Sequence, residues 1–278
     1  MPPKCPKLLD VEHLSSTVIR VLGQNPGPRT LQGTNTYLVG KGPEVILIDT
    51  GAGLPEYKTL LAQTISSLKL NIVSVVLTHW HADHVGGVAD VESLATTPLD
   101  ISKYPHHSDE TPYAKLSQGD RLNVSGATLT VHHTPGHTED SISLWHEEEK
   151  SLFCADTILG GSSSVYDNYN LYLKTLNRYL ELSPARLYPG HGEVIEDAEA
   201  AIRHTIKHRQ DREESVLRCL REAGGGVSIK ELTAVVYKDD GLNETLFFSA
   251  MYLVRLYLEK FAVDGTAVDR GGDVWEKL

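Results

Sequence analysis

Cysteine is scarce in this chain: three residues, Cys5, Cys154 and Cys219, and no CxxC pair. So small and odd a set excludes a disulfide framework and a thiolate metal knuckle, and suits a reducing compartment. Cys154 lies in the apolar run Leu152-Phe153-Cys154-Ala155, where a buried structural thiol is expected rather than a nucleophile. Long hydrophobic runs are absent, and with them any expectation of a membrane-spanning helix. The first ten residues hold three prolines and no apolar core, which speaks against a secretory leader. Asp10 and Glu12 come early and arginine is sparse before Arg20, so no mitochondrial presequence is evident either. The expected setting is intracellular, in the cytoplasm or the mitochondrial matrix. Basic residues are in deficit, 26 against 37 acidic, for a formal net charge of -11. Such a field repels phosphate backbones and counts against tight non-specific nucleic-acid binding. It leaves room for a local basic groove or a metal-centred contact.

What is present fits a soluble globular protein: 278 residues, 40% hydrophobic and 23% charged. The length suits one large domain with a small appendage. Short β-rich runs at residues 17–22, 35–39 and 45–48, broken by Gly and Pro, predict a meander. Pro55 opens a helix in which Tyr57, Leu60, Leu61, Ile65 and Leu68 recur at helical spacing. Residues 72–77 read as a buried strand, and a short helix follows over 88–94. Strands return at 128–131, 141–145, 151–155 and 186–188, with a helix over 168–182. Strands and helices mixed in both halves predict an α/β sandwich over residues 1–200. Beyond it, 201–278 read as a second unit. A long polar helix over 197–221 stops at Gly224-Gly225-Gly226, Ser228-Ile229-Lys230-Glu231 is a capping box, and a third helix spans 243–261. A terminal hairpin is expected at Asp264-Gly265 or Gly271-Gly272. Three helices and a hairpin make a small winged-helix-like outline.

The buried strand runs into Thr78-His79-Trp80-His81-Ala82-Asp83-His84. Imidazole and carboxylate are the ligands zinc takes when thiolates are missing. His79 and His81, two apart, share a side if the chain is extended there. Asp83 and His84 follow where it turns, so the run can serve two neighbouring metals, and Gly86 and Gly87 leave room for backbone nearby. His137, Asp156 and His191 each follow a predicted strand and sit among small or turn-forming residues.

This run resembles the THxHxDH signature of the metallo-β-lactamase-fold superfamily, and His137, Asp156 and His191 match its later ligand motifs. The resemblance covers residues 17–200. It implies a four-layer αββα fold with the site at one edge of the two sheets. It implies one metal on His79, His81 and His137, another on Asp83, His84 and His191, and Asp156 bridging them. Asp49, in Ile48-Asp49-Thr50-Gly51, resembles the family's buried aspartate that supports the ligand loops. Within the superfamily, Val21-Leu22-Gly23-Gln24-Asn25-Pro26-Gly27-Pro28 and Thr30-Leu31-Gln32-Gly33-Thr34-Asn35-Thr36-Tyr37 are similar to the beta-lactamase-like protein 2 family. That family carries a winged-helix-like C-terminal extension, and its animal members are implied to be endoribonucleases acting on single strands. Fungal thioesterases of polyketide pathways share the same opening motifs. Two departures stand out: Ala155 precedes Asp156 where a glycine is usual, and the 53 positions from His84 to His137 are fewer than the family leads one to expect. Both bear on the pocket wall and thus on the substrate.

The expected activity is hydrolysis with two Zn2+ ions, whose bridging water would have its pKa lowered towards neutrality. Asp83 is expected to relay a proton as well as bind metal. His81, where di-iron relatives have Glu, favours zinc; Asp156, in place of Cys or Ser, resembles phosphodiesterases and thioesterases more than true β-lactamases. The expected substrate is single-stranded RNA; the alternative is an acyl-carrier-protein, CoA or glutathione thioester. Asn35 is read as a turn stabiliser or, equally, as a residue standing near the substrate. Arg203, Lys207, Arg209 and Arg212 make the long helix locally basic, as a salt-bridged face or, second, as a phosphate-guiding wall. His204 and His208 are read as a solvated helix face, and His106, His107, His132, His133 and His146 as surface or packing residues. Residues 227–278 are more acidic than basic, which speaks against DNA binding and for a pocket wall, a substrate-gripping wall or a homodimer contact.

Overall fold

The computed structural model describes residues 6–106 and 112–278; Cys5 and His107 lie outside them. The first half contributes β1 (Val11–His13), β2 (Val18–Leu22), β3 (Asn35–Val39), β4 (Glu44–Ile48), α1 (Pro55–Leu68), β5 (Asn71–Leu77), α2 (Ala82–Val85), α3 (Val88–Leu94), β6 (Asp100–Lys103) and β7 (Ala114–Lys115). Its strands form one seven-stranded sheet in chain order. The second half contributes β8 (Arg121–Val124), β9 (Ala127–His133), β10 (Ile142–His146), β11 (Ser151–Ala155), α4 (Tyr169–Leu182) and β12 (Leu187–Pro189), whose strands form a second sheet in the order β12-β11-β10-β9-β8.

Side-chain alternation along the strands builds the layers. Tyr37, Val39, Ile46 and Ile48 of the first sheet pack with Leu129, Val131, Leu144 and Phe153 of the second. The alternate residues Leu38, Val45 and Leu47 point the other way, onto Tyr57 and Leu61 of α1 and Val88 and Val91 of α3. Leu152 and Cys154, flanking Phe153, join Tyr172 and Leu176 of α4. Strands with both faces buried read as continuous apolar runs, as these do. The fold is therefore the four-layer αββα sandwich expected.

Helix ends follow local chemistry. Pro55 occupies the first turn of α1, and the helix stops at Lys69 in the left-handed region. Asn168 caps α4. Asp197 caps α5 (Ala198–Glu222), Ser228 closes a capping box on α6 (Ile229–Val236), and Asn243 caps α7 (Glu244–Val263). Each such cap is worth about 1 kcal/mol. The terminal hairpin pairs β14 (Ala267–Gly271) with β15 (Val274–Lys277), and β13 (Val227–Ser228) adds to β15. Its turn uses Gly271 and Gly272, both at positive φ, rather than Asp264-Gly265. One apolar cluster runs from α4 into α5, α6, α7 and Trp275, so the C-terminal helices share the core of the second sheet's outer face. Among the described residues no helix is long and apolar enough to cross a membrane.

Candidate metal centre

The seven donors arrive from four places in the chain. β5 delivers His79 at its end; His81, still extended at φ -59 and ψ 140, caps the single turn α2 that carries Asp83 and His84. That turn, which no periodicity in the sequence announces, sends the last two donors to a second position. His137 comes from the loop after β9, Asp156 from the residue following β11, and His191 from the loop after β12. Asp156 leaves the strand because Ala155 sits at φ 44, the left-handed region where glycine is at ease.

The donors fall into two groups, His79, His81, His137 and Asp156 in one and Asp83, His84 and His191 in the other. His81 Nδ1 lies 3.0 Å from His79 Nε2 and 3.1 Å from His137 Nε2. Asp156 faces both groups: its Oδ2 is 3.7 Å from His137 Nε2 and 3.2 Å from His191 Nε2, and its Oδ1 is 3.4 Å from His84 Nε2. Asp83 Oδ2 is 3.2 Å from His191 Nε2 and 3.4 Å from His84 Nε2.

The outward nitrogens of three rings have partners. His84 Nδ1 donates to Asp49 Oδ2 at 2.7 Å and His137 Nδ1 to Val165 O at 2.6 Å, while His79 Nδ1 lies 3.0 Å from Thr78 Oγ1. Asp49 is fixed in turn by Thr78, whose N and Oγ1 donate to it at 2.8 and 2.9 Å. These bonds fix the tautomers so that inward lone pairs converge. Convergent lone pairs repel unless a cation stands among them. Two buried atoms, His84 Nε2 and Asp156 Oδ1, have no hydrogen-bond partner. The arrangement therefore fits metal ions, and the donor chemistry is that of zinc sites.

The electrostatics agree. Burial opposes ionisation of Asp156, yet the charges of His191 and His84 hold it well below the usual carboxylate range. Burial opposes protonation of His84 too, and Asp156 and Asp49 reverse that and raise it well above the usual histidine range. Burial acts in the same sense on His191, and Asp156 overcomes it to raise that ring to about 9. Burial lowers His81 to about 4. Burial and the neighbouring rings hold His79 low as well, so it is the two rings beside the carboxylates, His84 and His191, that draw protons and mark where positive charge is called for.

Asp49→Asn tests the support. An amide N–H facing His84 Nδ1 would force the ring proton onto Nε2, the atom meant for metal. Metal affinity should fall about 10- to 100-fold, read by chelator competition; unchanged affinity would remove Asp49 from that role.

Five of the donors, His81, Asp83, His137, Asp156 and His191, floor a cavity of about 760 Å³. Its far wall is α7, through Leu246, Phe248, Ser249 and Tyr252, joined by Arg29 from the β2–β3 loop. Arg29 and these α7 residues were missed in the sequence, since no local pattern links positions 220 residues apart. The pocket-wall expectation for residues 227–278 is met by them. Three expected wall residues are not in the lining. Asn35 is buried, its Nδ2 donating to Pro189 O and Gly192 O, both at 2.9 Å, so it staples the His191 loop. Arg203 and Lys207 point to solvent, paired along the helix with Glu199 and Asp211. Arg209 is buried, with its guanidinium over Tyr166 and its Nη2 bonded to Ser164 O. The basic face of α5 is thus spent on structure. Outside the cluster, His146 is buried beside Thr17, His133 stacks on Tyr104 at 4.0 Å, and His132 meets Arg178. His106 lies 6.1 Å from Trp80, and His204 and His208 face each other at 6.3 Å. Burial raises the Cys154 thiol to about 12, which keeps it inert.

Comparison with known proteins points the same way. The chain is 40% identical to a beta-lactamase-like protein 2 homolog from Caenorhabditis elegans, over 92% of this chain and 87% of that one. It is 37% identical to an atrochrysone carboxyl ACP thioesterase from Aspergillus terreus, over 97% and 88%. The crystal structure of a metallo-beta-lactamase family protein from Thermus thermophilus superposes with a TM-score of 0.79 at 22% identity, covering 96% of this chain and all of that one. The metallo-beta-lactamase superfamily model matches residues 29–191, the span that holds all seven donors, and the chain belongs to that superfamily.

Proposed function

We propose that this hydrolase holds two zinc ions and cleaves single-stranded RNA. The observation that carries the reading is the cavity itself: five of the seven imidazole and carboxylate donors floor it, beneath a wall of exposed aromatic rings. Base stacking on aromatic side chains is how single strands are held without sequence readout.

His79, His81 and His137 would hold one ion, Asp83, His84 and His191 the other, with Asp156 between them. Bound there, the ions supply Lewis-acid polarisation and acidify water. The chain supplies the rest. Asp83 is 27% exposed towards the cavity, against 10% for Asp156, so it is the carboxylate placed to take a proton. Burial opposes its ionisation, but a bond with His191 and the charge of His84 keep it below the usual carboxylate range, hence ionised at neutral pH. Thr34 Oγ1 donates to its Oδ2 at 3.1 Å and fixes its orientation.

A second reading, hydrolysis of an acyl thioester, is favoured by the relatives named as ACP thioesterases, 35–37% identical over nearly the whole chain. The same aromatic wall would then pack an acyl chain. The test sets zinc-loaded protein against labelled single-stranded RNA and an acyl-thioester panel, with His81→Ala in parallel. RNA cleavage that disappears in the variant, together with its metal, supports the first reading. Intact RNA with rapid thioester hydrolysis replaces it with the second. Full activity in His81→Ala removes both.

A further inference from the structure

The loop that carries Arg29 is stapled from within. Gly27 N donates to Leu31 O at 3.1 Å, Gly33 N to Thr30 O at 2.8 Å, and Thr30 Oγ1 to Asn25 O at 2.6 Å. Pro26 and Pro28 remove further backbone freedom. Asn25 Nδ2 donates to Thr34 Oγ1 at 2.9 Å, and the same hydroxyl donates to Asp83. The tip of the loop thus stands in a fixed relation to the donor cluster, which is what precise recognition needs.

Arg29 itself is exposed on the cavity wall. Its Nη2 donates to Ser249 Oγ on α7 at 3.0 Å, and Ser249 Oγ is tied to Thr245 O at 3.3 Å. That contact aims the guanidinium without neutralising it. Among the described residues Arg20, Arg186, Arg203, Arg212, Arg255 and Arg270 each have a carboxylate partner, and Arg29 has none. In a chain with eleven more acidic than basic residues, a cation left unpaired beside the site is open to an outside anion. Its remaining N–H donors match a phosphate in shape and charge.

One turn apart on α7, Phe248 is 58% exposed and Tyr252 39% exposed, and both line the same cavity. Tyr252 Oη donates to Asp167 Oδ1 at 3.1 Å. This orients the ring and occupies an oxygen of the one lining carboxylate that is not a metal donor. A fixed cation beside exposed aromatic faces is the pairing that holds one phosphate and its base.

We propose that Arg29 positions the strand by binding a phosphate that flanks the scissile bond, with Phe248 and Tyr252 stacking the adjoining base. The proposal rests on the endoribonuclease reading. The test measures kcat and KM for labelled single-stranded RNA across a salt series, using zinc-loaded wild type, Arg29→Gln, Arg29→Lys, Phe248→Ala and Arg255→Gln. Arg29→Gln should raise KM about tenfold or more with kcat within about twofold. It should also flatten the slope of log affinity against log salt by about 0.7, the loss of one phosphate contact on a single strand. Arg29→Lys should keep the slope and recover part of KM. Phe248→Ala should raise KM at every salt concentration and leave the slope alone. Arg255→Gln, which lines no part of the cavity, should match wild type. Wild-type KM and slope in Arg29→Gln would overturn the assignment. Wild-type protein that leaves RNA intact would overturn the reading beneath it, and that outcome is visible before any variant is compared.

Discussion

Replacing Asp156 by alanine should strip metal from both halves of the centre and lower turnover by more than about 100-fold, the upper end for losing a mere supporting partner of a metal ligand. Asp156 is the one carboxylate of its group, and it also faces the second: Oδ2 lies 3.7 Å from His137 Nε2 and 3.2 Å from His191 Nε2, and Oδ1 3.4 Å from His84 Nε2. Without it His79, His81 and His137 are three imidazole ligands with no anion among them to offset a dication. His84 and His191 lose the carboxylate that most raises them. The fold should survive, because the three apolar clusters do not include this residue. Metal per chain after dialysis, by elemental analysis, should drop below one, while the thermal midpoint of the metal-free variant stays within a few degrees of metal-free wild type. Full metal content in the variant would show that Asp156 is not a shared donor.

Gly190→Ala should reach nearly the same loss without touching a donor. A Cβ at that position would stand 2.1 Å from Asp156 Oδ1 and 3.0 Å from His84 Cε1. The backbone cannot back away, since Gly190 N donates to Ala155 O at 2.8 Å and Gly190 O accepts from Asn35 N at 2.7 Å. The carboxylate must swing out of the site instead. Overpacking of this kind costs about 1–3 kcal/mol of stability. Metal content and turnover should therefore fall much further than the thermal midpoint suggests. Gly225→Ala, whose Cβ meets nothing within 4 Å, is the matched control and should be silent. An active, fully metallated Gly190→Ala protein would mean that the loop carries slack the hydrogen bonds do not show.

Much of this was legible along the chain because its causes are local. The helices read as starting near Asn168, Asp197 and Asn243 are capped by those side chains, and Ser228 closes the capping box expected there. The donors stand out because imidazoles and carboxylates among turn-forming residues at strand ends are poor material for packing. Edges were harder. β1, β6, β7 and β8 have two to four residues each, too few for alternation to rise above noise. α2 is a single turn, whose helicity comes from its place between β5 and Thr50 rather than from periodicity.

The sequence by itself determined the chemistry: which seven side chains can meet a metal, which strands are buried, where helices begin. Only the tertiary structure decided the walls. Asn35, polar and two residues from Gly33, turned inward to hold the His191 loop, donating to Gly192 O and to a Pro189 O that Tyr37 Oη also reaches. The basic residues of α5 turned to their own carboxylates, a neighbouring carbonyl and a cage of tyrosines. Arg29 and α7 met across 220 residues to shape the mouth. Metal ligation is a property of residue types in short motifs, whereas a cavity wall is a relation between surfaces, and that relation exists only once the layers have packed.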